Sequence, residues 1–356
     1  MALERVVVLG AGLIGTSVAL ALRERGVRVW LDDADPATLR LAADLGAGAP
    51  LRADPPDRPA DVALIAVPPA AVAAVLRSAQ DRQLAHTYTD AASVKAGPLA
   101  EAAEHGCDLA TFVPGHPMAG RELRGPGAAR ADLFLGRPWA LCPAPKTDAA
   151  ALAAVADLAR ACGAEPVVVD AEVHDRAVAL VSHAPHVAAA AVAARLAEAD
   201  DTALGLAGQG VRDVTRIAAG DPGLWTDILA RNAAPVADVV EALAADLAAL
   251  AAALRAADPE GLDALLRRGA AGRARIPGKH GGPAPAYALV PVVIPDEPNA
   301  LARLFGAAGD AGVNIEDVRL EHSPGLPVGV AVLHVRPEAA GRLGAALRDG
   351  GWSVHA

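Results

Sequence analysis

Arg5-Val6-Val7-Val8-Leu9-Gly10-Ala11-Gly12-Leu13-Ile14-Gly15 sets an unbroken apolar run directly before a G-x-G-x-x-G pattern. Between a buried strand and a helix, the glycines have separate tasks. Gly10 allows the tight turn, Gly12 lets the backbone approach a pyrophosphate, and Gly15 lets the helix pack against the strand. Leu13 and Ile14 then open a helix whose first N–H groups face the phosphates, so the five residues Gly10, Gly12, Leu13, Ile14 and Gly15 form an expected dinucleotide site. The second apolar run ends in Asp32-Asp33, about 20 residues after the glycines, where a carboxylate accepts from ribose hydroxyls. Asp33 is preferred, because Pro36 starts the next helix and leaves Asp33 nearest the strand tip. A carboxylate there repels a 2'-phosphate and only Arg40 lies nearby, so the expected cofactor is NAD rather than NADP.

From Arg5 to about Asp170, apolar runs (RVVVLG, VRVWLD, VALIAVP, TYTDA, LATFVPG, WALCP, PVVVD) alternate with helical stretches. That alternation predicts a largely parallel, doubly wound Rossmann-type α/β sheet with helices on both faces. From Ala171 the strand signals stop, and an Ala- and Leu-rich helical pattern follows, broken around Gly205–Gly210 and Asp221–Gly223. Ile276–Pro285, rich in Gly and Pro, reads as a linker, and the remainder reads as strand, helix, strand, strand, helix, strand. This is the ferredoxin-like βαββαβ order. The expected domains are therefore 1–170 (nucleotide), 171–275 (helical), 276–285 (linker) and 286–356 (ferredoxin-like).

A chain of 356 residues exceeds what one core usually organises, which agrees with several domains. Its formal net charge of −10 argues against nucleic acid, whose phosphates need clustered Lys and Arg. The positive mean hydropathy, +0.30, comes from alanine interrupted by Asp, Glu and Arg, so no membrane span is expected. Met1–Arg5 runs straight into a strand without a signal-peptide pattern, which predicts a cytoplasmic chain. Cys107, Cys142 and Cys162 are far apart and lack metal-ligand spacing, so packing in a reducing compartment is expected.

In doubly wound sheets ligands sit at the carboxyl ends of the strands. Three such tips carry chemistry here: Ala66-Val67-Pro68-Pro69, Asp90-Ala91-Ala92-Ser93-Val94-Lys95, and Gly115-His116-Pro117-Met118-Ala119-Gly120-Arg121-Glu122. Val67 and Pro68 are expected beside the nicotinamide ribose. A histidine at such a tip suits removal of a hydroxyl proton while hydride leaves the same carbon, and a serine beside it can place that hydroxyl. Lys95 reads either as a group orienting neighbouring carboxylates or as a solvated lysine.

His-Pro-Met-Ala-Gly-x-Glu, together with G-x-G-L-I-G-x-S and D-x-x-S-V-K, resembles the prephenate and arogenate dehydrogenase family. Ser182-His183-Ala184-Pro185-His186, Arg212-Asp213-Val214-Thr215-Arg216-Ile217 and Trp225-Thr226-Asp227-Ile228 leading to Asn232 extend the resemblance through the helical domain. It implies His116 as general base, Ser93 assisting, Arg216 paired with a substrate carboxylate, His183 near the substrate ring, Glu122 at the pocket entrance, and a homodimer built on the helical domain. His183 and His186 lie three apart, but no carboxylate or cysteine nearby completes a ligand set, so no metal is expected.

Three other readings compete with this one. One is a 4-amino-4-deoxyprephenate dehydrogenase. Another is a β-hydroxyacid dehydrogenase, which usually uses a helical-domain lysine where this chain offers His183 and Arg216. The last is a non-catalytic sensor of NAD or amino acids. Asp296-Glu297-Pro298-Asn299-Ala300-Leu301 and Gly312-Val313-Asn314-Ile315 resemble the ACT regulatory domain, which implies feedback by tyrosine or an appended dimer-stabilising module. Asn299 stands where that pattern usually has glycine, in a turn that Asn tolerates better than most residues.

Overall fold

The computed structural model describes residues 3–120, 123–277, 287–322 and 327–355. Glu122 and most of the expected linker, residues 278–286, lie outside the described residues. Contacts divide the chain into two compact units, Met1–Ala244 and Ala245–Ala356.

In the first unit, β1 (Arg5–Leu9) is buried throughout and sits centrally, because its valines serve both faces of a sheet. Val6 and Val8 pack with Val18, Leu22 and Leu64 on one face, while Val7 and Leu9 pack with Leu76, Tyr88 and Phe112 on the other. β2 (Arg28–Asp32), the short β3 (Ala49–Pro50), β4 (Ala60–Ile65), β5 (Ala85–Asp90) and β6 (Phe112–Val113) complete a parallel sheet in the order β3-β2-β1-β4-β5-β6.

The apolar run around Phe112 does not continue in this sheet. Pro114 has no N–H for a ladder, and the chain turns away there into β7 (Gly115–Pro117). β7 pairs antiparallel with β8 (Pro138–Leu141), which pairs parallel with β9 (Glu165–Val168), giving a second sheet of three strands. The expected single sheet is thus two, and the split aims the residue after Gly115 out of the first sheet's line.

The glycine turn has the predicted geometry. Gly10 has φ +102°, and a Cβ there would lie 2.3 Å from the Ala66 carbonyl oxygen. A Cβ on Gly15 would lie 1.9 Å from the Gly10 oxygen, whereas one on Gly12 would meet nothing within 4 Å. Gly12 therefore faces open space at the start of the helix Leu13–Arg23, whose first turn has no side-chain cap.

Asp170 caps the first helix after β9, accepting from the Glu172 and Val173 N–H groups at 2.9 and 3.1 Å. That helix, Ala171–Val178, runs through a π-helical turn, Ala179–His183, into the helix Ala184–Leu196. Pro185 cannot donate within a regular helix, and the Ala184 N–H bonds back to Ala179, one residue further than an α-helix allows. The 26-residue stretch Ala171–Leu196 has a mean hydropathy of 1.6 and is long and apolar enough to cross a membrane. Yet it carries the buried polar residues His174, Asp175, His183 and His186. The helices Asp201–Gly205, Gln209–Thr215, Pro222–Arg231 and Ala233–Ala256 follow, with breaks where the glycines and Asp221 foretold them.

The second unit holds the helix Pro259–Ala274 and then β10 (Ala288–Pro295), the helix Ala300–Asp310, β11 (Asp317–His322), β12 (Val328–Val335), the helix Pro337–Asp349 and β13 (Ser353–Val354). The strands pair antiparallel in the order β11-β12-β10-β13 over a core that includes Val292, Leu304, Leu333 and Leu347. Asn299 adopts the left-handed backbone, φ +68°, immediately before its helix.

Gly10→Ala places a Cβ against a main-chain carbonyl that β1 and β4 hold in register. It is expected to cost about 3 kcal/mol or more, read as a drop in the denaturant midpoint without a change of slope.

Candidate active site

β5 ends in Asp90, whose side chain is fully buried. Its carboxylate accepts from the Ala92 and Gly115 N–H groups, each at 3.0 Å, and pairs with the Lys95 ammonium. Lys95, also fully buried, donates a second bond to the Gly115 carbonyl at 2.6 Å. The serine-bearing tip after β5 and the histidine-bearing tip at β7 are therefore stitched together by one buried ion pair. Of the two readings of Lys95, the orienting one holds.

His116 follows Gly115 directly. Its Nδ1 lies 2.9 Å from His174 Nε2, with the rings edge to face, and His174 Nδ1 lies 2.8 Å from an Asp175 carboxylate oxygen. Asp175 also accepts from the Lys95 and Ala96 N–H groups at 2.8 and 2.9 Å. Burial alone would raise its carboxyl, but the His174 ring and these amides outweigh that and hold it below the usual range. An ionised Asp175 accepts a hydrogen bond from His174 Nδ1–H, and with that ring in its neutral form Nε2 is an acceptor to which His116 Nδ1–H donates. The network thus assigns His116 Nε2 a bare lone pair. Burial first, and then the neighbouring His174, Lys95 and His183, push the His116 imidazolium well below the ordinary histidine range. At neutral pH His116 is an uncharged base.

Asn232 completes the arrangement. Its amide donates to the Asp175 carbonyl at 2.8 Å and to His183 Nδ1 at 3.1 Å. The proton of His183 then sits on Nε2, which is buried without a hydrogen-bond partner among the described residues. Burial lowers His183 to about 4. His186 lies three residues on and stacks on Trp225, ring centroids 3.6 Å apart. Burial raises the thiols of Cys142 and Cys162 to about 12, which removes both as nucleophiles.

His116, His183 and Trp225 line one cavity of about 590 Å³, with the rest of the network packed behind them. Of the residues expected from sequence, Gly12, Leu13, Ile14, Val67, Pro68, Ser93, His116 and His183 line it. Gly10 and Gly15 shape its floor from behind. Asp33 lies beside the glycine loop and accepts from the Ala11 N–H at 2.6 Å, while Asp32 is drawn toward Arg52 and Arg82. Arg216 is exposed at the start of the turn Arg216–Ala219 and does not line the cavity, whereas Gly220 and Asp221 just after it do. His174, Asp175, Asn232 and Arg124 were not singled out from sequence as site residues. The one signal pointing to any of them was Asn232, at the end of a quoted motif.

A dinucleotide turn that opens onto a cavity holding an uncharged, buried histidine base defines a pyridine-nucleotide dehydrogenase with a helical second domain. The chain belongs to the prephenate dehydrogenase family: the family's nucleotide-binding domain matches residues 18–168 and its dimerization domain residues 170–268. It is 45% identical to the probable prephenate dehydrogenase NovF of Streptomyces niveus, over 98% of this chain and 99% of the relative. It is 33% identical to the cyclohexadienyl dehydrogenase of Zymomonas mobilis, over 72% of this chain and 90% of the relative. Among solved structures, the prephenate dehydrogenase of A. aeolicus in complex with hydroxyphenyl propionate and NAD+ aligns with a TM-score of 0.69 at 28% identity, covering 78% of this chain and 99% of that one. Synechocystis arogenate dehydrogenase aligns with a TM-score of 0.62 at 26% identity, covering 76% of this chain and 99% of that one.

His174→Phe removes the acceptor that fixes the His116 tautomer and a neighbour that lowers its pKa. Turnover is expected to fall about 100-fold with KM within a few-fold, and the acid limb of kcat/KM should move to higher pH, with His174→Gln partly rescuing turnover. A second outcome concerns stability. His183 binds a proton more readily unfolded than folded, so its contribution is complete above about pH 6.5 and is lost as pH falls toward 4, about 3 kcal/mol in all. Denaturant unfolding at pH 7 and pH 5 should show this loss, and His183→Asn should flatten it.

Proposed function

We propose that this chain is an NAD-dependent dehydrogenase that oxidatively decarboxylates prephenate to 4-hydroxyphenylpyruvate, or arogenate to tyrosine, in tyrosine biosynthesis in the cytoplasm. The observation that carries the reading is the bare Nε2 of His116, held in the cavity whose floor is the open backbone at Gly12.

The residues present suit the cofactor. The open space at Gly12 and the uncapped start of the helix Leu13–Arg23 would take the pyrophosphate. Asp33, already bonded to the loop at Ala11, would take the adenosine ribose. Val67 and Pro68 would flank the nicotinamide ribose. When bound, NAD supplies the acceptor for the hydride on C4 of the substrate. His116 takes the C4 hydroxyl proton, and Ser93 bonds that hydroxyl and places it. The resulting C4 carbonyl makes the ring an electron sink: the bond from C1 to its carboxylate breaks, carbon dioxide leaves, and the electron pair enters the ring. The phenoxide so formed takes a proton to give the phenol. His183 donates from Nε2 toward the ring region. The resemblance gives Arg216 a substrate carboxylate and Glu122 the entrance. Arg216 stands exposed just ahead of Gly220 and Asp221 at the mouth, from which it would meet the incoming anion.

The chain is also read as a homodimer built on the helical domain. Leu180 and Leu206 are 61 and 82% exposed, an apolar cost that a second copy would remove. Within the second unit, residues 286–356 are read as a ferredoxin-like, ACT-type module. The left-handed Asn299 beside a cavity of about 330 Å³ supports a turn able to receive a small ligand such as tyrosine.

With prephenate and with arogenate, the purified chain is expected to reduce NAD far faster than NADP. His116→Asn should lower kcat at least 1000-fold with a modest change in KM, read from NADH absorbance. Near-normal turnover in that variant would reject the base assignment. Added tyrosine in the same assay separates an effector-binding module from an inert one.

A further inference from the structure

The side chains with a permanent charge that line the 590 Å³ cavity, among the described residues, are Arg124 and Asp221. Arg124 lies on the loop beyond β7, and Asp221 caps the helix Pro222–Arg231, so their ion pair joins the two sides of the mouth. Asp221 uses one carboxylate oxygen for the Leu224 N–H, at 2.6 Å, and the other for the Arg124 guanidinium. The Leu224 N–H foremost, and Arg124 with it, keep that carboxyl ionised. Arg124 is two-thirds exposed, and only one of its terminal nitrogens is engaged with Asp221. A guanidinium has five N–H donors in a planar fork, so most of its capacity is open to a carboxylate.

The two candidate substrates share a ring and a side-chain carboxylate and differ in one group, a side-chain ketone against a side-chain ammonium. The ring carboxylate must leave as carbon dioxide, and a fixed cation on it would hold the electrons that have to enter the ring. Among the described residues Arg124 is the one permanent cation that lines the cavity, and it therefore serves best on the carboxylate that stays, with Arg216 outside the lining left to draw in the anionic substrate. Beside it, Asp221 offers a negative charge that complements an ammonium and repels an added anion that lacks one.

Building on the dehydrogenase reading above, we propose that Arg124 and Asp221 read the side-chain end of the substrate: Arg124 binds the retained carboxylate and Asp221 the α-ammonium, so that the pair favours the amino acid over the keto acid. Their mutual ion pair closes the mouth without ligand and is exchanged for the zwitterion, charge for charge. The helix cap survives the exchange, because the Leu224 bond uses the other oxygen.

The test uses the full chain with NAD and compares arogenate with prephenate. Arg124→Met is expected to raise KM for both about 10-fold or more with kcat within a few-fold, and Arg124→Lys to restore part of it. Asp221→Asn, which keeps a helix-capping oxygen, is expected to lower the arogenate-to-prephenate ratio of kcat/KM about 10-fold. An unchanged KM in Arg124→Met, or an unmoved ratio in Asp221→Asn, overturns the proposal while leaving the dehydrogenase reading intact. Failure of the unaltered chain to oxidise either compound sinks that reading and this one with it.

Discussion

The architecture of the first unit turns on the carboxylate of Asp175. It sits in the first helix after the nucleotide sheets, yet its hydrogen-bond donors come from the tip after β5 and from its own neighbour His174. Burying an ionised carboxylate costs several kcal/mol, and charge-assisted bonds from three N–H groups offset that cost only while all are in place. Loss of the side chain would orphan two main-chain amides and free the His174 ring together. The same residue's carbonyl takes Asn232, which in turn fixes His183. One acidic residue thus couples, through its side chain, the position of the serine tip and the tautomer of the base and, through its carbonyl, the orientation of the second site histidine.

The polar interior is arranged so that the reactive histidine need not be charged at rest. Lys95 and Asp90 cancel each other beneath Gly115, and Asp175 serves His174 rather than His116. His116 therefore has an imidazole as its neighbour and a cation not far off, both of which disfavour its protonated form. When it takes a proton from substrate, the charge can be shared along the ring pair toward Asp175. A carboxylate placed directly on His116 would instead hold it charged, and useless as a base, over much of the working pH range.

Much of this was legible in the chain where the cause is local. The residues Gly10, Gly12, Leu13, Ile14 and Gly15 need their neighbours only to be strand and helix: Gly10 and Gly15 sit where a Cβ would strike main chain, and Gly12 faces open space. The choice of Asp33 over Asp32 also followed from proximity to a strand tip and Pro36, and the two carboxylates do go separate ways. What sequence spacing did not reveal depends on contacts made at long range: His174 reaches His116 across 58 positions, and Asn232 reaches Asp175 across 57. Lys95 was ambiguous for the same reason, since its burial depends on how two tips pack. The split into two sheets hinges on Pro114, whose effect was hidden inside an otherwise strand-like run.

The π-helical turn Ala179–His183 gives the chain a constraint on length as well as composition. His174 and His183 are nine residues apart, about two and a half turns of a regular helix, which would set them on opposite sides. The wider turn shifts the phase between them, so that one serves the base while the other faces Asn232 and Trp225. Substitutions among small apolar residues in this stretch should be absorbed, whereas the gain or loss of a single residue would rotate everything downstream. In related chains, this short segment is therefore where alignment gaps should be rarest, whatever letters fill it.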